Sequence, residues 1–156
     1  MRSGLYTDGV PGWLSSPLSL FWEVPYHSVK GALTESQHIF IEMGLKHSPV
    51  SEPHILEIGL GTGLNAFLTL LSAEETRRKV HYTGIERYPL AEETLKQLDY
   101  PRLIGKQHEE DYYAIHRAPW DTETEVSPWF TLHKIEDDFT RLFNPVEGSR
   151  PAVPLY

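Results

Sequence analysis

Apolar and polar positions divide the middle of the chain into three β-like runs separated by helix-like stretches. Residues 55–58, Ile55-Leu56-Glu57-Ile58, form a short apolar run of the length and composition of a buried strand. Beyond it Leu64, Phe67, Leu68 and Leu71 recur at the spacing of one helix face. Residues 79–86 read as a second strand, because Val80, Tyr82 and Ile85 sit in a β-favouring stretch. Pro89 then suits a first helical turn, Glu92 and Glu93 complement its dipole, and Leu95 and Leu98 continue a buried face. Residues 129–135, Trp-Phe-Thr-Leu-His-Lys-Ile, are the third strand candidate. Strand, helix, strand, helix, strand predicts an α/β fold with a parallel sheet.

The flanks read differently. Asp8-Gly9, Pro11-Gly12, Ser15-Ser16-Pro17 and Pro25 punctuate the start, so residues 1–33 are expected to be an irregular extension or lid. Thr34 followed by Gln37 is a capping-box pattern. It predicts a helix with Ile39, Phe40 and Met43 on its apolar side and an end at Gly44. Residues 101–128 suggest a short packed helix and a loop around Tyr112, Tyr113, Ile115 and Trp120. The folded domain is expected over residues 34–142. Residues 143–156 carry Pro145, Pro151 and Pro154, which argue against a central strand and for an irregular tail.

Candidate chemistry centres on the turn after the first strand. Gly59, Gly61 and Gly63 alternate there, where a backbone free of side chains lets a ligand approach the main chain. Thr62 is the expected N-cap of the next helix, whose first N–H groups would face the ligand. No Gly-x-x-x-x-Gly-Lys-Ser/Thr motif occurs, which excludes a P-loop. The dinucleotide fingerprint would need a third glycine where Leu64 stands. The pattern is Glu57-x-Gly59-x-Gly61-x-Gly63, which resembles the S-adenosylmethionine loop of Rossmann-like methyltransferases. A carboxylate at the strand end suits a cation better than a pyrophosphate. The loop alone leaves open a glycine turn in some other α/β protein.

Glu86 closes the second strand about 20 residues beyond that loop, the spacing at which nucleotide sites place an acid for the ribose hydroxyls. Asp138 follows the third strand, where a carboxylate can meet an adenine amino group. Ligands of such sheets sit beyond the carboxyl ends of the strands, and all three acids fall there.

Composition narrows the classes. At 156 residues the chain is one domain, and with no cysteine it holds neither disulfides nor thiolate metal sites. No apolar run is long enough for a bilayer, so no membrane association is expected and a cytoplasmic location follows. A formal charge of −8 argues against a broad nucleic-acid surface, and the cluster Arg77, Arg78, Lys79 reads as a solvated helix end. His27 and His38 are not spaced as a metal pair, and His108, Glu109, Glu110 and Asp111 are consecutive and cannot converge on one ion. No metal is expected.

Four segments together resemble the MnmC/MnmD-type methyltransferases, which complete 5-methylaminomethyl-2-thiouridine at the wobble position of bacterial tRNA. They are YHSVKGALTESQHIFIEMGL, ILEIGLGTGLNAFLTLL, YTGIERYPL and LHKIEDDF, in that order. The resemblance implies a Rossmann-like class I methyltransferase fold, S-adenosyl-L-methionine as cofactor, and tRNA as partner. It implies no FAD in this chain, because the flavin step belongs to a separate domain. It assigns Glu57, Gly59, Gly61, Thr62, Gly63 and Asn65 to the cofactor loop, Glu86 to the ribose and Asp138 to adenine. Tyr26, Ser28, Gly31 and Glu35 match the N-terminal signature and are expected to line the cofactor or substrate pocket. The family continues into a fourth strand ending in an Asp-Ala-Phe type motif that is absent here. The resemblance therefore implies the N-terminal part of a doubly wound sheet without its C-terminal strands, and names no catalytic residue.

Overall fold

The structure is a computed structural model, and it describes Tyr6–Thr7, Val10–Pro11 and residues 26–143. Strands β1 (Tyr6–Thr7) and β2 (Val10–Pro11) pair antiparallel as a separate small hairpin. Helix α1 (Tyr26–Glu35) runs directly into a π-helical segment, Ser36–Leu45. Then follow β3 (His54–Ile58), α2 (Leu64–Thr76), β4 (Val80–Glu86), α3 (Glu92–Leu98) and α4 (Tyr100–Ile104). A 3-10 turn (Lys106–His108), α5 (Glu109–Arg117), β5 (Glu123–Ser127), β6 (Phe130–Glu136) and α6 (Phe139–Phe143) complete the described chain.

The main sheet has four strands in the order β3-β4-β6-β5. Its first three are parallel, with Leu56 beside Thr83, Glu57 beside Gly84, and Gly84 beside Lys134. This is a Rossmann-like α/β arrangement, since each parallel neighbour is reached through helices. Strand β5 adds an antiparallel edge that the sequence reading left as loop. It is short and rich in Glu and Thr, so its stability comes from pairing with β6 rather than from an apolar pattern.

One face of the sheet carries the core. Ile55, Tyr82, Phe130 and Leu132 pack with Ala66, Phe67 and Leu70 of α2, with Tyr112 and Ile115 of α5, and with Ile41 and Leu45 of the π segment. Burying aliphatic and aromatic groups of this size contributes roughly 1.5–3 kcal/mol each. The other face is thinly covered among the described residues. Ile85 and Ile135 meet Leu142 and Phe139, while Leu56 and Ile58 remain 41% and 53% exposed.

Three expectations about the N-terminal helix are corrected. Helix α1 already runs at residue 26 and crosses the boundary expected near residue 33, so Thr34 is no cap. The Thr34 hydroxyl donates to the Lys30 carbonyl one turn back, at 3.0 Å. The segment ends at Leu45 rather than Gly44. Ile39 and Met43 face solvent at 58% and 60% exposure, and Ile41 and Leu45 are buried instead. The physical reason is the wider π turn, which shifts the phase of the buried face away from a 3.6-residue period. Arg78 ties off this end, its guanidinium donating to the carbonyls of Leu45, Ser48 and Val50.

Candidate functional site

The loop between β3 and α2 is held in a left-handed path, with φ of 82° at Gly59, 53° at Gly61 and 72° at Gly63. Side chains reach this region at a cost of about 1–2 kcal/mol per residue, which is why glycine recurs. The N–H groups of Gly59 and Leu60 both donate to the Ile85 carbonyl, at 2.8 and 3.1 Å, so the loop is fastened to the end of β4. Gly63 itself is the N-cap of α2 and no side chain caps that helix, which corrects the role expected of Thr62. What Thr62 supplies is its carbonyl, which accepts from the Tyr112 hydroxyl at 3.0 Å.

The glycines differ in what surrounds them. A methyl on Gly59 would meet nothing within 4 Å, and one on Gly61 only the Gly59 carbonyl, at 3.8 Å. One on Gly63 would lie 2.9 Å from the His116 ring, and one on Gly84 2.7 Å from Leu60. The first half of the loop is thus open, and the second half is packed against α5.

Glu57, Glu86 and Asp138 stand at or just past the carboxyl ends of β3, β4 and β6, which are neighbours. Their side chains do different things. Glu57 is turned under the loop, where it accepts from Asn65 Nδ2 at 2.8 Å and from the Tyr82 hydroxyl at 2.6 Å. Burial raises its carboxyl pKa, the two donors oppose that, and the charge of Glu86 adds to it. Asn65 directs its amide nitrogen to this acceptor, and its Oδ1 is buried with no hydrogen-bond partner among the described residues. Glu86 accepts from the N–H of Gly61 and of Tyr88, both at 2.8 Å, so it lies on the loop's open side. Asp138 is bound to Arg87 at 2.9 Å and accepts from the Thr140 N–H and hydroxyl at the start of α6. Those Thr140 bonds hold its carboxyl below the usual range.

Several groups escaped the sequence reading. A cavity of about 290 Å³ borders the loop at Gly61 and Glu86 and is lined further by His116, Trp120 and Lys134. Lys134 is 1% exposed, and its ammonium donates to the His116 carbonyl at 2.7 Å and lies 4.6 Å from the Trp120 ring. Burial pushes its pKa down to about 8. Burial also pushes His116 down to about 4, so the imidazole is neutral near pH 7. A lysine inside an apolar strand was the one signal available for Lys134; His116 offered none.

Gly31 and Glu35 lie on α1 and line a shallow depression with Lys30 and Ile39, so they are not brought to the glycine loop. Tyr26 and Ser28 begin α1, and their side chains lie outside the described residues. A larger groove of about 1020 Å³ runs between the π segment and α2, past Gln37, Glu42 and Leu68, and does not touch the loop either. Arg77 and Lys79 sit at the amino end of β4, opposite the end that carries the loop. Among the described residues no cluster of His, Asp or Glu could hold a metal ion, and no helix is long and apolar enough to cross a membrane.

Comparison with known proteins agrees with the resemblance read from the four segments. The chain is 33% identical over 90 residues to the tRNA 5-methylaminomethyl-2-thiouridine biosynthesis bifunctional protein MnmC of Idiomarina loihiensis, covering 52% of this chain and 15% of that protein. The MnmC proteins of Leptospira borgpetersenii (30% over 90 residues, 53% and 14%) and Pseudomonas fluorescens (29% over 113 residues, 64% and 17%) match similarly. The chain thus spans about a seventh of the length of the curated relatives it matches. No protein-family model matches it. Among solved structures, MnmC2 from Aquifex aeolicus superposes with a TM-score of 0.46 at 18% identity, over 75% of this chain and 37% of that one.

Proposed function

We propose that the chain binds S-adenosyl-L-methionine at the carboxyl end of β3 and β4 and is a methyltransferase domain of tRNA modification. Its acceptor would be the aminomethyl group of wobble 5-aminomethyl-2-thiouridine. The observation that carries the reading is the open half of the loop. There, main chain at Gly59 and Gly61 lies bare beside the carboxylate of Glu86.

The residues fit this cofactor. The carboxylate of Glu86 can accept from two hydroxyls at once, so it suits a ribose. Its two present donors are backbone N–H groups of Gly61 and Tyr88, which a ribose would share or displace. Gly59 leaves room for close approach of a ligand to the main chain. Asp138, already bound by Arg87 and Thr140, would have to release Arg87 to accept from adenine.

When bound, the cofactor supplies an electrophilic sulfonium methyl. The chain's own residues would hold and orient it: the loop main chain from one side, Glu86 from another, with α5 keeping the loop rigid from behind. Alignment of a neutral amine with that methyl supplies most of the acceleration in such a reaction, and little acid–base chemistry is needed.

Titration by calorimetry or thermal shift tests the reading. Stabilisation by S-adenosylhomocysteine and not by NAD is expected; stabilisation by NAD alone would replace it with a nucleotide-dependent oxidoreductase. Methyl transfer to hypomodified tRNA then separates an enzyme from a domain that only binds the cofactor.

A further inference from the structure

Two neighbouring helical rods leave a trough between them that does not touch the glycine loop. Its lining recurs every three or four residues on each rod. Thr34, Gln37, His38, Ile41 and Glu42 come from the end of α1 and the π segment, and Leu68, Leu71, Ser72 and Glu75 from α2. Such a recurrence is one stripe of a helix, so the trough follows α2 for about two turns, roughly 10 Å. Its volume of about 1020 Å³ stands at the top of the range for small-molecule pockets. A furrow between two packed helices is the shape into which the ridge of a third helix fits.

The floor of the trough is apolar, made by Leu33, Ile41, Leu68, Leu71 and Ile104. Ile41 and Leu68 are buried, whereas Leu33, Leu71 and Ile104 are half-buried and keep apolar surface open to a visitor. The rim is acidic. Glu42, Glu74, Glu75 and Asp111 stand against one ammonium, that of Lys46, which Glu42 already binds at 2.9 Å. His38 and His108 are the other basic groups, and His108 lies 3.5 Å from Asp111. Phosphates meet repulsion at such a rim, and cationic side chains meet attraction.

We propose that this trough is a docking site for a basic amphipathic helix of a partner protein. The apolar stripe of that helix rests on the leucine and isoleucine floor, and its lysines or arginines face Glu74, Glu75 and Asp111. Anchors at helical spacing supply the affinity, and the rim selects the sign of charge. The site is independent of the cofactor reading, since no lining residue belongs to the glycine loop.

The test uses calorimetry on the full chain with a synthetic leucine–lysine peptide patterned as an amphipathic helix of about five turns. The natural chain is expected to bind it, with affinity falling as salt is added. A leucine–glutamate counterpart and a scrambled leucine–lysine peptide should bind at least about ten-fold more weakly. Glu74→Lys with Glu75→Lys should weaken the leucine–lysine peptide by about ten-fold. Glu123→Lys with Glu125→Lys makes the same change of charge on the exposed β5 edge and should weaken it by less than about two-fold. Leu71→Ser should lower affinity while leaving its salt dependence unchanged. No binding, equal binding of the acidic or scrambled peptide, or equal losses in the two lysine variants would each overturn the proposal. So would unaltered affinity in Leu71→Ser. Displacement of the peptide by tRNA would give the trough to nucleic acid instead. A dimer of the chain alone that Glu74→Lys with Glu75→Lys dissolves would give it to a second copy.

Discussion

The two halves of the glycine loop look alike in sequence and are under different constraints. Gly59 and Gly61 have positive φ and empty or nearly empty surroundings, so their lack of a side chain serves conformation and whatever lies outside. Gly63 has positive φ as well, yet the place of its missing methyl is filled by the His116 ring, which the Tyr112 ring holds at 4.7 Å. One half is shaped for an approaching molecule and the other by the packing of α5. A regular repeat of one residue type can therefore answer two separate requirements.

Substitution at Gly63 gives the largest expected effect. Gly63→Ala combines left-handed strain with a clash against a buried ring, and should lower stability by roughly 2–5 kcal/mol in urea denaturation. Adding His116→Ala should restore the part due to the clash and leave the part due to φ. If the double variant is no better than the single one, the packing distinction between the halves is wrong.

Acid should act through the packed half next. The His116 pKa is pushed from 6.5 to about 4 by burial, so the unfolded chain takes up a proton that the native state refuses between those values. Native stability is then lost as pH falls from about 6.5 toward 4, by on the order of 2–3 kcal/mol. Glu57 works in the opposite sense, since its raised pKa favours the native state on protonation. His116→Phe should therefore flatten the acid limb of a stability-against-pH curve; an unchanged limb would remove His116 as its cause.

The open half should show the smallest change in folding. Gly59→Ala meets no neighbour and should cost about 1–2 kcal/mol, from φ alone. Its effect on S-adenosylhomocysteine affinity should exceed that on melting, whereas Gly63→Ala should do the reverse. Equal ratios at the two positions would erase the contrast.

Much of this was legible along the chain, and the limit is a matter of distance. Strand β3, helix α2 and strand β4 follow from short-range periodicity, because a two-residue alternation or a 3.6-residue stripe records burial of one face. The glycines announced a special backbone, and Glu86 and Asp138 fell at strand ends by counting. Local pattern failed where a neighbour remote in sequence decides the outcome. The Thr34 cap was overridden by a helix already under way, and Ile39 and Met43 turned outward because a π turn reset the phase. Strand β5 exists because β6 offers it a ladder. Whether Glu57 faces a ligand or a tyrosine depends on Tyr82, one strand away. Whether Gly63 is open or jammed depends on His116, on a helix that only folding brings near. Sequence alone determined that β3, α2, β4 and β6 form and where the acids end up along them. Only tertiary packing decided which way each side chain turns, because direction is set by partners that become neighbours after the chain has closed on itself.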